Sequence, residues 1–166
     1  MLLYHGSTDL VQHPEIRVGD IYLDFGVGFY TTTSFQQAER WARIKMRRKK
    51  VSLGFVSIYE FDLERAQQEF RVQRFSQADH RWLEFVVGNR QGILSEPGTD
   101  LHIGPVADDQ VYQTIRLFET GILDTEDTIK RLKTEVLQDQ WALHTPGILS
   151  LCRFVEAKEI REEVNA

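Results

Sequence analysis

The sequence predicts one α+β domain with a mostly antiparallel or mixed sheet. Three observations point there. Segments with an apolar period of two and segments with a helical period both occur, and they segregate instead of alternating regularly. No repeat or low-complexity linker divides the chain, and 166 residues suit a single domain over 1–166 with its own core. The composition is that of a globular protein, 42% apolar and 27% charged.

The elements follow in order. "MLLYHGS" reads as a short strand running into a turn at Gly6 and Ser7. "DIYLDFGVGFYTTT" is a glycine loop leading into a short β-prone run. "SFQQAERWARIKMRR" predicts a helix: Ser34 caps it, Gln37 completes a capping-box pattern, and Ala38, Trp41, Ala42 and Lys45 share a face. "VSLGFVSIYEFDL" alternates as a strand, and "QEFRVQRF" reads as a second, short one. "SQADHRWLEFVVGNRQG" predicts a helix of about three to four turns, with Trp82, Phe85 and Val86 inward and Gly92 as terminator. "DLHIGPVAD" is a strand that Gly104-Pro105 makes an edge or a short one. "TGILDTEDTIKRLKTEVLQD" predicts a helix capped by Asp124, with Ile129, Leu132 and Val136 as its apolar stripe. "QWALHT" is a short strand. "GILSLCRFVEAKEI" alternates partway and finishes the fold, with Leu149, Leu151 and Phe154 inward.

Charge and composition exclude several classes. A net charge of -5 and a pI near 5.5 argue against a general polyanion binder. The charge is uneven, for "RIKMRRKK" (Arg43 to Lys50) carries six cations in eight residues. It reads as a solvated helix end that complements the dipole, or as a phosphate-facing patch. No apolar run approaches the roughly 18 residues of a membrane helix, and no basic-flanked apolar leader opens the chain. Cys152 is the only cysteine, which excludes an intramolecular disulfide and a cysteine-rich zinc site. Together these predict a cytoplasmic protein without a membrane partner. The five histidines show no ligand spacing, so no metal is expected.

Gly26 and Gly28 lack the third glycine and the strand-helix context of a dinucleotide loop, and there is no P-loop or G-x-S-x-G. What remains is a set of residues in order. His5 precedes Gly6, where a ligand can approach the backbone. Tyr30 follows a flexible glycine loop, Trp41 comes eleven residues later, and Gln140 opens a downstream strand. Each has a plain structural reading alone: a turn histidine, a half-buried tyrosine, a core tryptophan, an exposed glutamine. Their shared order reads as a site.

That order resembles the diphtheria-toxin type of ADP-ribosyltransferase, the group that includes the poly(ADP-ribose) polymerase catalytic domains and carries a His-Tyr-Glu triad. His5-Gly6-Ser7 matches its first motif, and Phe25 to Tyr30 matches its F-G-x-G-[aliphatic or aromatic]-Y motif. Trp41 stands where the polymerases place a second ring on nicotinamide. Gln140-Trp141 and "LSLCRF" (Leu149 to Phe154) occupy the place of the third motif. Over nearly the full length, "DFGxGFYTT", "QAxxWA", "WLxFVxxNR" and "GPVADD" resemble an uncharacterised bacterial family of ADP-ribosyltransferase-like proteins, often encoded beside a small antitoxin.

The resemblance implies two small, mostly antiparallel sheets around an NAD cleft with flanking helices. It implies NAD as substrate and mono-ADP-ribosyl transfer to a macromolecular acceptor, protein or nucleic acid, in a bacterial toxin with an antitoxin partner. His5, Tyr30 and Gln140 take the catalytic positions; His5, Gly6, Ser7, Gly28, Tyr30 and Trp41 bind NAD. Gly6 holds the carboxamide, His5 bonds a ribose hydroxyl, and Tyr30 and Trp41 sandwich the nicotinamide ring, worth ~1 kcal/mol per pair. Gln140 departs from the family acid. Two unit charges ~4 Å apart at an effective dielectric of ~20 interact by about 4 kcal/mol. A neutral amide therefore lowers the rate on the order of 10²–10³, unless Glu84, Asp108 or Asp109 supplies the anion. The alternatives are an NAD glycohydrolase, an RNA 2′-phosphotransferase, or a catalytically degenerate module that binds NAD or ADP-ribose.

Overall fold

The computed structural model describes residues 1–17, 23–93, 96, 98–106, 109–133 and 137–162. Two small sheets carry the fold. The first holds β1 (Leu2–Ser7), β3 (Leu53–Phe61) and β7 (Cys152–Arg161) in the order β1-β3-β7, all antiparallel. The second holds β2 (Phe29–Thr31), β4 (Val72–Arg74), β5 (Leu101–Pro105) and β6 (Asp139–Leu143) in the order β2-β6-β5-β4. Only the β4–β5 pair in it is parallel. The chain is α+β, as its sequence predicts.

Helices form where local chemistry starts and stops them. Ser34 opens α1 (Phe35–Lys49) by accepting the Gln37 N–H, as its capping pattern predicts. Such a cap is worth about 1 kcal/mol. Asp79 caps α3 (His80–Arg90) through the Trp82 N–H, and Gly92 ends it at φ 80° in a Schellman pair: Gly92 N–H to Asn89 C=O and Ile93 N–H to Gly88 C=O. Asp124 caps α5 (Thr125–Leu132) through the Asp127 N–H.

Other expectations change. The strand expected over "QEFRVQRF" shrinks to β4, because Asp62 caps a short helix, α2 (Leu63–Glu69), immediately before it. Helix α5 is shorter than its expected span, and Val136 lies outside the described residues. A helix without a sequence expectation, α4 (Asp109–Glu119), buries Val111 and Ile115. Gly147–Leu149 belong to α6 (Pro146–Leu149), a single turn capped by Thr145, and not to the last strand. β5 is short but interior, with β4 and β6 on its two sides. Pro105 causes no conflict there because it occupies the last strand position.

Strand register sorts the side chains onto two faces. Leu3, Phe29, Trp141, Leu143, Leu101 and Ile103 project to one face and form a core with Tyr59, Phe61 and Ile148. The opposite face carries the β1 residues Tyr4 and Gly6, then Tyr30, Ala142 and Gln140. Two further clusters cover it: Phe25, Trp82, Phe85 and Val86 over the second sheet, and Ala38, Ala42 and Met46 of α1 over the first.

Helix α1 lies hard against β1. A Cβ on Gly6 would sit 1.8 Å from the Ala38 carbonyl oxygen and 2.9 Å from the Ala42 nitrogen. No side chain fits between the two backbones. This contact fixes α1 over the first sheet and against its edge strand β1, beside the line where the two sheets meet.

Candidate functional site at the strand split

The sheets touch at a single described bridge. Tyr4 and Thr32 exchange both backbone hydrogen bonds, at 2.9 and 3.0 Å. Backbone groups alternate in direction along a strand, so Gly6 and Tyr30 aim theirs at the same line. A continued ladder would pair Gly6 with Tyr30. Instead the Lys45 ammonium donates to the Gly6 carbonyl at 2.8 Å, and the His5 ring bonds the Tyr30 carbonyl at 2.6 Å. The strands part there, and side chains hold the edges.

His5 is half-buried and stacks on Phe29 with ring centroids 4.3 Å apart. Burial and the charge of Lys45 pull its pKa down to about 3, against the opposing Tyr30 carbonyl. The imidazole is therefore neutral near neutral pH. A carbonyl only accepts, so Nδ1 carries the proton and Nε2 keeps its lone pair. Nε2 is an acceptor suited to a hydroxyl donor. Ser7 is buried, with its hydroxyl accepting the Asp9 N–H at 3.3 Å.

The glycine loop is held and not free. The Tyr30 hydroxyl donates to Gly26 C=O at 2.6 Å and accepts from Phe25 N–H at 3.0 Å. Burial, with the charge of Asp24, raises its pKa far above the ordinary phenol value. The Asn89 amide donates to Asp24 C=O at 3.1 Å. A Cβ on Gly28 would meet the Leu143 carbonyl at 2.9 Å, so protein atoms already fill that space. The flexibility expected of these glycines gives way to close packing.

Trp41 differs from the other two tryptophans. Trp82 and Trp141 are core residues, 0% and 3% exposed. Trp41 is half-buried and belongs to none of the apolar clusters among the described residues. It lies one helical turn before Lys45, whose ammonium reaches Gly6, so it shares the side of α1 that overlooks the split.

Gln140 shares a face with Tyr30 on the neighbouring strand, in the diagonal position that sets such residues ~7–8 Å apart. It is 3% exposed, not the exposed strand residue of the plain reading, and its Nε2 donates to Pro105 C=O at 3.2 Å. The neighbouring acid, Asp139, is fully engaged. It accepts from Thr32 Oγ1, Thr33 N–H and Oγ1, and Trp141 Nε1 at 2.7–3.0 Å. Glu84 is solvent-facing on α3 and pairs with His80 at 3.6 Å. Asp108 lies outside the described residues, and Asp109 is placed only as the first residue of α4.

A second polar array escapes sequence reasoning. His144 Nδ1 bonds Val27 C=O at 2.6 Å, His144 Nε2 meets His102 Nδ1 at 2.8 Å, and His102 Nε2 meets Glu96 at 2.9 Å. The chain clips the glycine loop to β5 and β6. Both of its ends are acceptors, so three hydrogen bonds need three protons, one more than two neutral imidazoles carry. Burial favours neutral rings on both histidines, while the Glu96 carboxylate favours the charged form of His102. Burial would raise the Glu96 carboxyl, but its bonds from His102 and Arg81 hold it below the ordinary value. His102 lies on β5 and His144 directly after its partner strand β6, 42 residues apart in sequence, so no local spacing betrays them. Among the described residues no three His, Cys, Asp or Glu side chains group as a metal site. No helix there is long and apolar enough to cross a membrane.

The sequence profile of one family matches residues 1–154. The chain belongs to DUF3990, described as "Protein of unknown function". No curated protein sequence matches it. The glycine loop, α1 and the strand split of this DUF3990 chain all lie within the matched span.

Two outcomes test this geometry. Gln140→Glu sets a carboxylate against the Pro105 carbonyl, acceptor against acceptor. It is expected to lower stability by about 1–3 kcal/mol in denaturant unfolding. Glu96→Gln lets an amide donate to His102 and completes the histidine chain with two neutral rings. The ring-nitrogen NMR shifts of His102 and His144 are expected to titrate below the ordinary imidazole range in the native protein, because burial lowers both, and the His102 titration to move to still lower pH in Glu96→Gln, which loses the carboxylate that opposes burial.

Proposed function

We propose that the chain is an NAD-dependent mono-ADP-ribosyltransferase whose substrate cleft is the split between β1 and β2. The observation that carries this reading is the parting of the two strands after one bridge. It leaves the Gly6 backbone without a strand partner on the β2 side, between the His5 ring that bonds Tyr30 on one face and helix α1, which carries Trp41 and Lys45, on the other. Gly6 N–H and C=O suit a carboxamide, which is both donor and acceptor. His5 Nε2 suits a ribose hydroxyl, and the Trp41 ring suits the flat nicotinamide. Tyr30 shapes the cleft by locking the glycine loop, and Gln140 contributes position without charge. The macromolecular acceptor, the toxin role and an antitoxin partner rest on the family resemblance alone.

In the chemistry, cleavage of the bond from nicotinamide to ribose leaves an oxocarbenium-like carbon that an acceptor nucleophile captures. The cleft orients both reactants and excludes water. Among the described candidate acids, Asp139 is bonded to Thr32, Thr33 and Trp141 and Glu84 faces solvent on α3, so an anion near that carbon can come from the acceptor. The neutral, buried Gln140 in the place of the family acid favours a second reading, a module that binds NAD or ADP-ribose without turning it over.

Incubation with labelled NAD and cell lysate separates the two. Transfer predicts nicotinamide release and label on a macromolecule, reduced on the order of 10²-fold or more in His5→Ala and Tyr30→Ala variants of intact fold. Binding without release selects the second reading. Label transfer indifferent to both substitutions overturns the site.

A further inference from the structure

Lys45 occupies the place in the cleft where a ligand amide would meet the backbone. Its ammonium donates to the Gly6 carbonyl at 2.8 Å, and that carbonyl faces the split and not β3. The groups around it are mostly cationic: Lys49 and Arg48 from α1, and Arg17 beside the neutral His5 of β1. The nearby anion, Asp9 in the segment after β1, pairs with Lys49 at 3.6 Å. Lys45 is thus a half-buried cation held by a neutral carbonyl.

We propose that Lys45 holds the carboxamide subsite shut in the ligand-free protein, and that a nicotinamide-bearing ligand must displace its ammonium from the Gly6 carbonyl. The inference rests on the NAD reading above. The exchange conserves hydrogen bonds at the backbone, because a carboxamide N–H replaces an ammonium N–H on the same oxygen. The four-carbon stem lets the ammonium return to water. ADP-ribose carries no nicotinamide and leaves the lysine where it is. The latch therefore discriminates between substrate and product. Burial first, and Lys49 second, bring the Lys45 pKa down to about 8. A neutral amine is a weaker donor than an ammonium, so the latch loosens as pH rises past that value.

Calorimetric titration of nicotinamide, NAD and ADP-ribose into the native protein and Lys45→Met tests this, with thermal melting as the check on fold. Methionine keeps the stem and removes the donor. Near pH 7, nicotinamide and NAD are expected to bind Lys45→Met about tenfold more tightly, with ADP-ribose unchanged. The native protein is expected to gain affinity for nicotinamide between about pH 7 and 9, and the variant is not. Equal or weaker nicotinamide binding by the variant overturns the latch. Weaker binding of NAD and ADP-ribose together makes Lys45 a phosphate contact instead. Binding of none of the three ligands by either protein overturns the NAD reading itself, and the latch with it.

Discussion

The contact between β1 and α1 at Gly6 governs everything around it. Backbone meets backbone there at a distance that leaves no room for a Cβ. Because α1 cannot stand off from β1, its next turns run over the first sheet with one side toward the seam that β1 borders. Gln37, Trp41 and Lys45, four residues apart, then lie on the seam side of the helix, while Ala38, Ala42 and Met46 fill the core side. A larger residue at position 6 would lift α1 and draw Lys45 away from the carbonyl that it caps.

The second constraint is the clamp on the glycine loop. Tyr30 hydroxyl, His144 imidazole and Asn89 amide each take a backbone group of Asp24 to Val27. These polar groups come from β2, from α3 and from the residue that follows β6. Net hydrogen bonds of this kind contribute about 1 kcal/mol each. Their larger effect is geometric: the loop enters β2 at a fixed angle, so β2 can make one bridge to β1 and then diverge. The split is a consequence of the clamp as much as of the strands.

Much of this was legible in the sequence where the controlling chemistry is local. Ser34, Asp79 and Asp124 announce their helices because a cap needs only a side chain and an amide three residues away. Helix α4 carried its signal too, in the spacing of Val111, Ile115 and Phe118. Asp62 marked α2, but the aromatic and β-branched residues of "QEFRVQRF" drew the strand reading across it. The order of β5 between β4 and β6 depends on pairing across the chain, and no segment encodes that alone. For the site, the glycines and the His-Tyr order were visible. The committed state of Asp139, the burial of Gln140 and the histidine chain were not, because each depends on a partner far away in sequence.

Chemical-shift mapping of isotope-labelled protein during titration with NAD, or with a non-hydrolysable analogue, tests most directly whether the strand split is the ligand site. The backbone amide of Gly6 and the indole N–H of Trp41 should move together and saturate together, with the core indoles of Trp82 and Trp141 nearly still. Saturable shifts centred elsewhere, with Gly6 and Trp41 unmoved, would contradict the site.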